Sequence, residues 1–352
     1  QPGKGIIYQE VWDGYDYFGT PEKETDNIPG TGDDRPFRGE GPSAMTAAAL
    51  AAAARATGRP DFKKAAEDLW LGAVKSASDY PEDIWGKTSG AFPDLGDDHA
   101  GRLVRRTADL LLADIELGAL TGEQRFDDNA QSCIKSLAHK QKSDGLWPTD
   151  VYSRTALQGV APASLALYVR AHPGTLASGT AKNALRLWMN GLIRMTNNPF
   201  GLIPWDKTVF FNPHIGNSNT GRYYYVGQNS QYLSNAWALY LTSTILKEPG
   251  MANLADRQLD WILGLNPYNL CMMEGRGSFN SPCYLHWAPD NDRGAVPGAI
   301  PNGFCRVIAD QDRPWFDLYD THGDYNTLEP WEPHNAFFIL AVSARAGLVG
   351  NR

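Results

Sequence analysis

From Ser43 onward the chain reads as a run of helical segments whose connectors alternate between short and long. That alternation limits the fold more than any other feature. The first segment is alanine-rich: Ser43 is placed to cap it, and the run closes at Thr57-Gly58. So many alanines give a backbone that neighbours can approach closely. The next runs from Pro60-Asp61 to about Ser78, with Phe62, Ala65, Ala66, Leu69 and Ala73 on one stripe. Further helices are predicted over 98–119, 124–141, 157–171, 179–196, 228–246, 251–263 and 334–348. No segment shows sustained strand alternation, short pairs within loops aside. Thr121-Gly122 is a tight turn, whereas 198–227 and 264–333 are too long for plain connectors, and loops of that length are where function usually sits. Hairpins with short turns at one end and long loops at the other predict an all-α toroid with a single cleft. A helical bundle or an α-solenoid gives a similar pattern, although no repeat of fixed length is present.

No low-complexity linker divides residues 1–352, so one domain is the simpler reading. Hydrophobic residues at 42% and charged residues at 20% describe a globular chain and exclude a disordered one. The net charge of −8, with no basic run, argues against a nucleic-acid partner. No apolar stretch is long enough to span a membrane, and the N-terminus lacks the charged-then-apolar pattern of a signal peptide. A secreted form would have lost that signal already. Cys133, Cys271, Cys283 and Cys305 show no Cys-x-x-Cys spacing and no paired histidines, which argues against a zinc site. Cys271 and Cys283 are spaced for a small disulfide loop, with four free thiols as the alternative. Asp94, Asp97 and Asp98, or Asp290 and Asp292, are compatible with a structural calcium, but neither group matches an EF-hand loop and solvated loop acids are the simpler reading.

The 11 Trp, 15 Tyr and 13 Phe point to a ligand class, because many stand in Gly-, Pro- and Asn-rich stretches and outside helical patterns. Trp12, Tyr15, Tyr17 and Phe18 are examples, as are Trp205, Phe210, Phe211, Tyr223, Trp315 and Trp331. Rings on loops with polar neighbours suit sugars, whose C–H faces stack on them. The alternative is that they cap a core beneath long loops.

The stretch Gly323 to Ala336 carries the chemistry. Glu329 stands five residues after Asp324 and six before Asn335, with Pro330, Trp331 and Pro333 around it and an apolar run from Phe337. Proline is tolerated in a helix's first turn, so Glu329 is expected on a loop feeding the last helix. A carboxyl group against an aromatic wall has a raised pKa, as a general acid requires. The plain alternative is a surface acid that helps start that helix. Glu332 is a second candidate, with poorer spacing to Asp324 and Asn335.

Five places in order resemble the glycoside hydrolases of family nine. They are the alanine-rich helix from Gly41 to Leu50, Tyr225-Val226-Gly227-Gln228-Asn229-Ser230 with Asn235-Ala236-Trp237, and Gln258 to Tyr268 with its Leu-Gly-x-Asn-Pro turn. Pro297 to Gly303 and Asp324 to Ala336 complete the set. The resemblance implies an (α/α)6 barrel and inverting hydrolysis of β-linked glucan or a related polysaccharide, with no cofactor required. It places Glu329 at the catalytic acid, with Asp324 in the same motif; the loop rings Trp331, Tyr223 and Trp205, with Arg222 and His286, are the candidate sugar contacts. The family's water-activating aspartates have their nearest likeness in Asp13 and Asp16.

The chain also departs from the family. Pro282-Cys283-Tyr284-Leu285-His286 stands where the family has Pro-His-His-Arg, so His286 is displaced. Asp16 to Glu22 resembles a later family segment, which implies that about the first hundred residues of a usual domain are missing. On that alignment the barrel is incomplete, a partner segment or self-assembly covers its open side, and the chain is a fragment or an impaired relative that binds carbohydrate. The resemblance further implies a secreted or periplasmic protein. A lyase on the same architecture, using His214, Arg222 and Tyr223 against a uronate, fits the ordered motifs less well.

Overall fold

The computed structural model describes residues 7–12, 35–41, 43–75, 98–148, 158–204, 211, 213–214, 227–284, 296–307, 310–319 and 325–350. The chain gathers into two compact units. The first holds residues 1–90, 109–133 and 287–294; the second holds 91–108, 134–286 and 295–352.

In the first unit, helix α1 (Ala44–Thr57) starts where its sequence says it should. Ser43 has extended backbone, and its Oγ accepts the Thr46 N–H at 3.1 Å, satisfying one of the donors that a helix start leaves free. At the other end the Gly58 N–H donates to the Ala54 carbonyl at 2.8 Å. Ala44, Ala47, Ala48, Ala51 and Ala54 are buried and let α2 (Pro60–Lys75) pack closely. The buried side of α2 is Ala66, Leu69, Trp70 and Ala73. Phe62 departs from the predicted stripe: it stays part-exposed beneath the Arg59 guanidinium, 3.9 Å from its ring centre. Residues 109–121 of α3 (Asp98–Thr121) and 124–133 of α4 (Gln124–Lys140) complete this core, and β1 (Ile7–Trp12) pairs antiparallel with β2 (Arg35–Gly41). This pairing is one of the short strand pairs within loops that the sequence reading left room for.

The second unit is built on α7 (Asn229–Leu246), which packs against α5 (Val160–Ala171), α6 (Leu176–Met195), α8 (Pro249–Leu263) and α10 (Glu332–Gly350). A helix covered on so many sides has no polar stripe, and residues 229–240 are buried without a break. Trp261 of α8, fully buried, anchors an aromatic core with Phe200, Phe211, Tyr232 and Phe304 at ring-centre distances of 5.1, 5.8, 6.3 and 5.1 Å. Phe211 is therefore a core residue and not a loop ring for sugar, a correction to the sequence reading. A small sheet joins β3 (Pro213–His214) parallel to β4 (Cys305–Val307), and β4 antiparallel to β5 (Asp310–Trp315). The one-turn helix α9 (Tyr325–Leu328) leads into α10. All four cysteines are free, with Cys283 part-buried and the others buried, so no disulfide joins Cys271 and Cys283. No helix among the described residues is long and apolar enough to cross a membrane.

Candidate active site

Segments far apart in sequence meet around Glu329. The Gly227 N–H donates to the Asn326 carbonyl at 2.8 Å, and the Gly303 N–H to that of Thr327 at 2.9 Å. Asn302 works in both directions: its N–H donates to the Glu329 carbonyl and its own carbonyl accepts the Asn229 N–H, each at 3.0 Å. Pro301 and Pro330 pair as an isolated antiparallel bridge. The Glu329 backbone is thereby fixed while the residue stays part-exposed between α9 and α10.

This close approach needs glycine twice. Gly303 has φ +100°, and a Cβ there would lie 2.4 Å from Asn229 Oδ1; a Cβ on Gly227 would lie 2.3 Å from the Gly303 carbonyl oxygen. The Leu-Gly-x-Asn-Pro turn works through Asn266. Its Nδ2 donates to the Trp261 and Leu270 carbonyls at 2.9 and 2.7 Å, and its Oδ1 accepts from the Tyr268 and Leu270 N–H groups. That turn brings Met272 to Asn229, whose Nδ2 lies 3.5 Å from the sulfur and 2.9 Å from the Pro301 carbonyl. Four of the five sequence motifs are thus one hydrogen-bonded body.

The start of α10 is pinned to the same body. Asn335 Oδ1 accepts the Ile300 N–H at 3.1 Å, and its Nδ2 donates to the Gly298 carbonyl at 2.7 Å. The residue that motif spacing singled out is therefore a fastener. Buried Glu274 accepts the Val296 N–H at 2.8 Å and steadies that loop from its far end. Glu332 is exposed in the first turn of α10, where a negative charge favours the helix dipole.

His334, one residue before Asn335, is fully enclosed. Its Nδ1 lies 2.5 Å from Ser230 Oγ, its Nε2 2.9 Å from Asn302 Oδ1, and its backbone N–H donates to the Trp331 carbonyl at 3.0 Å. The Trp331 ring stacks on the imidazole with centres 6.4 Å apart and planes 18° apart. Burial pushes the imidazole down to about 3 from 6.5, so the ring is neutral at ordinary pH. Ser230, His334 and Asn302 have the connectivity of a nucleophile, a base and an orienting group. At 2%, 1% and 0% exposed, however, they offer no reactive oxygen to a substrate.

Of the sequence-derived candidates, Glu329 and Trp331 stand together here, both part-exposed. Asp13, Asp16, Trp205, Arg222, Tyr223, His286 and Asp324 lie outside the described residues, as do Asp94, Asp97, Asp290 and Asp292 of the calcium reading. Sequence reasoning missed His334, Ser230 and Asn302. The only signal was a histidine inside the acid motif, without any sign of its partners.

Residues 2–342 match the family model described as glycosyl hydrolase family 9. Among solved structures, the cellulase Cel9M of C. cellulolyticum in complex with cellobiose aligns over 94% of this chain and 70% of its own, at 16% identity and TM-score 0.62. Endoglucanase CelQ from Clostridium thermocellum complexed with cellotriose aligns over 98% and 55%, at 18% identity and TM-score 0.64. A family 9 hydrolase of Bacteroides ovatus aligns over 99% and 60%, at 18% identity and TM-score 0.63. The chain thus spans between about half and seven tenths of the length of such structures. No curated protein sequence matches it. At these identities the likeness carries the fold, and the all-α reading with its (α/α)6 relatives holds.

Proposed function

The chain belongs to glycosyl hydrolase family 9, and from that premise we propose that it hydrolyses β-linked glucan with Glu329 as the general acid. One observation carries this reading: a part-exposed carboxylate residue is held by its own backbone at the meeting point of otherwise buried segments, beside the part-exposed ring of Trp331. A carboxyl group so placed can protonate a leaving glycosidic oxygen while the ring supports the sugar face.

The stereochemical course we propose is inversion. Glu329 gives its proton to the glycosidic oxygen as the bond from that oxygen to the anomeric carbon breaks. Water attacks the opposite face, and its proton passes to a second carboxylate about 6.5–9.5 Å from the first, a separation that leaves room for the water. Asp13 and Asp16 are the candidates for that base, and Asp324 is the proposed partner of the acid. One carboxyl group gives the proton that the leaving oxygen needs and a second carboxylate takes the proton that the water loses, so the proposed chemistry needs no cofactor. A polymeric substrate does not enter cells, which supports action outside the cytoplasm.

The test is Glu329→Gln, which keeps the shape and removes the proton. Turnover of cellotetraose should fall about 10²-fold or more while binding survives. Unchanged turnover would sink the assignment. Cys283 and Tyr284, standing where the family has histidines, favour a second reading as a carbohydrate-binding relative without activity. Cellotetraose bound but never cleaved by the unaltered chain would select it.

A further inference from the structure

We infer that His334 is a positioning residue for Glu329, acting as a neutral bridge that closes a ring of hydrogen bonds through the acid's own backbone. The inference rests on the reading of Glu329 as the acid. The ring runs from the Glu329 carbonyl to the Asn302 N–H at 3.0 Å and from Asn302 Oδ1 to His334 Nε2 at 2.9 Å. It then passes from the His334 N–H to the Trp331 carbonyl at 3.0 Å, two residues from its start.

The tautomer follows from the partners. An amide oxygen only accepts, so Nε2 carries the proton, Nδ1 is bare, and the Ser230 hydroxyl donates to it. Each ring nitrogen is therefore engaged, one toward α7 and one toward the loop that holds the acid. Burial, which pushes the imidazole down to about 3, keeps this arrangement at neutral pH. An apolar side chain of the same size would fill the space without the desolvation cost of an imidazole. What it could not do is hold the side chain of Asn302, the residue whose backbone N–H and carbonyl engage Glu329 and the Asn229 end of α7. A displacement of about 1 Å in a catalytic group lowers turnover on the order of 10²-fold, so a residue that fixes the backbone of the acid acts on kcat and little on KM.

The experiment compares His334→Phe, His334→Gln, Ser230→Ala and Glu329→Gln with the unaltered chain, using cellotetraose as the probe. His334→Phe keeps a flat ring against Trp331 and loses both side-chain bonds, so kcat should fall about 10-fold or more with KM within about twofold. His334→Gln retains an N–H that reaches Asn302 and should recover part of the loss. Ser230→Ala removes only the bond to Nδ1 and should cost less. Two-bond proton–nitrogen NMR of the unaltered chain should show the neutral Nε2–H tautomer at about pH 6. Full kcat in His334→Phe beside an inactive Glu329→Gln overturns the bridge and leaves the acid standing. An Nδ1–H tautomer or an imidazolium at that pH overturns it as well. Turnover surviving in Glu329→Gln removes the acid, and the positioning role with it, while leaving the NMR result unaltered.

Discussion

Asp114 in the first unit and His334 in the second are both ionisable groups sealed in protein, 2% and 1% exposed, yet they resist charge in opposite senses. Asp114, on α3, accepts the Trp70 Nε1–H of α2 at 2.6 Å and the Asn129 Nδ2–H of α4 at 2.8 Å, with Cys133 Sγ at 3.9 Å. Burial pushes its carboxyl up to about 7 although Asn129, Trp70 and Cys133 all pull it down, and Asp127 adds a further push upward. The Cys133 thiol is raised in turn, by burial first and by Asp114 second. His334 has both ring nitrogens engaged, and burial alone moves it, downward. Donor number does not decide the protonation of either group. Exclusion of water does, since it disfavours whichever form carries charge.

The comparison breaks most visibly under acid. Asp114 rises from 3.8 unfolded to about 7 folded, so its contribution is full below 3.8 and is lost as pH climbs through 7. His334 falls from 6.5 to about 3, so its contribution is full above 6.5 and is lost as pH drops toward 3. Each slope amounts to about 1.4 kcal/mol per pH unit, and between about pH 4 and pH 6.5 they oppose one another. Hydrogen exchange resolved on peptides of α2–α4 and of α10 should show the first region better protected, and the second less protected, as pH falls. Asp114→Asn should abolish the first trend and His334→Gln the second. A trend that survives its own substitution refutes the assignment of that group.

The next effect sharpens the contrast within the first unit. Trp70→Phe keeps a ring edge-on to Phe126, where the centres are 4.7 Å apart, and removes one donor from Asp114. The expected loss is about 1–3 kcal/mol in urea unfolding, the cost of a buried acceptor left short. The loss should shrink at low pH, where Asp114 is protonated in both states. A loss independent of pH would assign it to packing.

The smallest effect comes from a carboxylate that remains near water. Asp256 of α8 accepts both from Tyr240 Oη of α7 and from Arg345 Nε of α10, each at 2.7 Å. The arginine and aspartate side chains are 55% and 35% exposed. Arg345→Ala should cost at most about 1 kcal/mol and less in high salt, because exposed pairs are screened. A cost like that of Trp70→Phe would mean that exposure is not what separates the two carboxylates.

Legibility followed sequence distance. Ser43 as a cap, the stop at Gly58 and the alanine face of α1 were readable because each involves neighbours within a helical turn or two. Helix ends moved by a few residues where proline entered a first turn, as at Pro249 in α8 and Pro333 in α10. Spacing to Asp324 and Asn335 singled out Glu329 as a candidate. The function of Asn335 as a clasp on residues 298–300 was not, since nothing local names those partners. Trp70 stands at helical spacing from Ala66 and Ala73, but its polar partner, Asp114, 44 residues away, has no local signal.

The sequence by itself determined the elements: where helices begin and end, which faces are apolar, that long loops follow short turns, and which acid sits in a family motif. These depend on capping and periodicity, interactions that close within about four residues and form wherever the local pattern allows. Tertiary structure alone decided which polar groups are sealed and with whom. His334 meets Ser230 across 104 positions and Asn302 across 32, and only the packed chain excludes water around them. Protonation and the fixing of Glu329 follow from that exclusion, because the cost of charge depends on solvent and no residue carries its solvent in its own sequence.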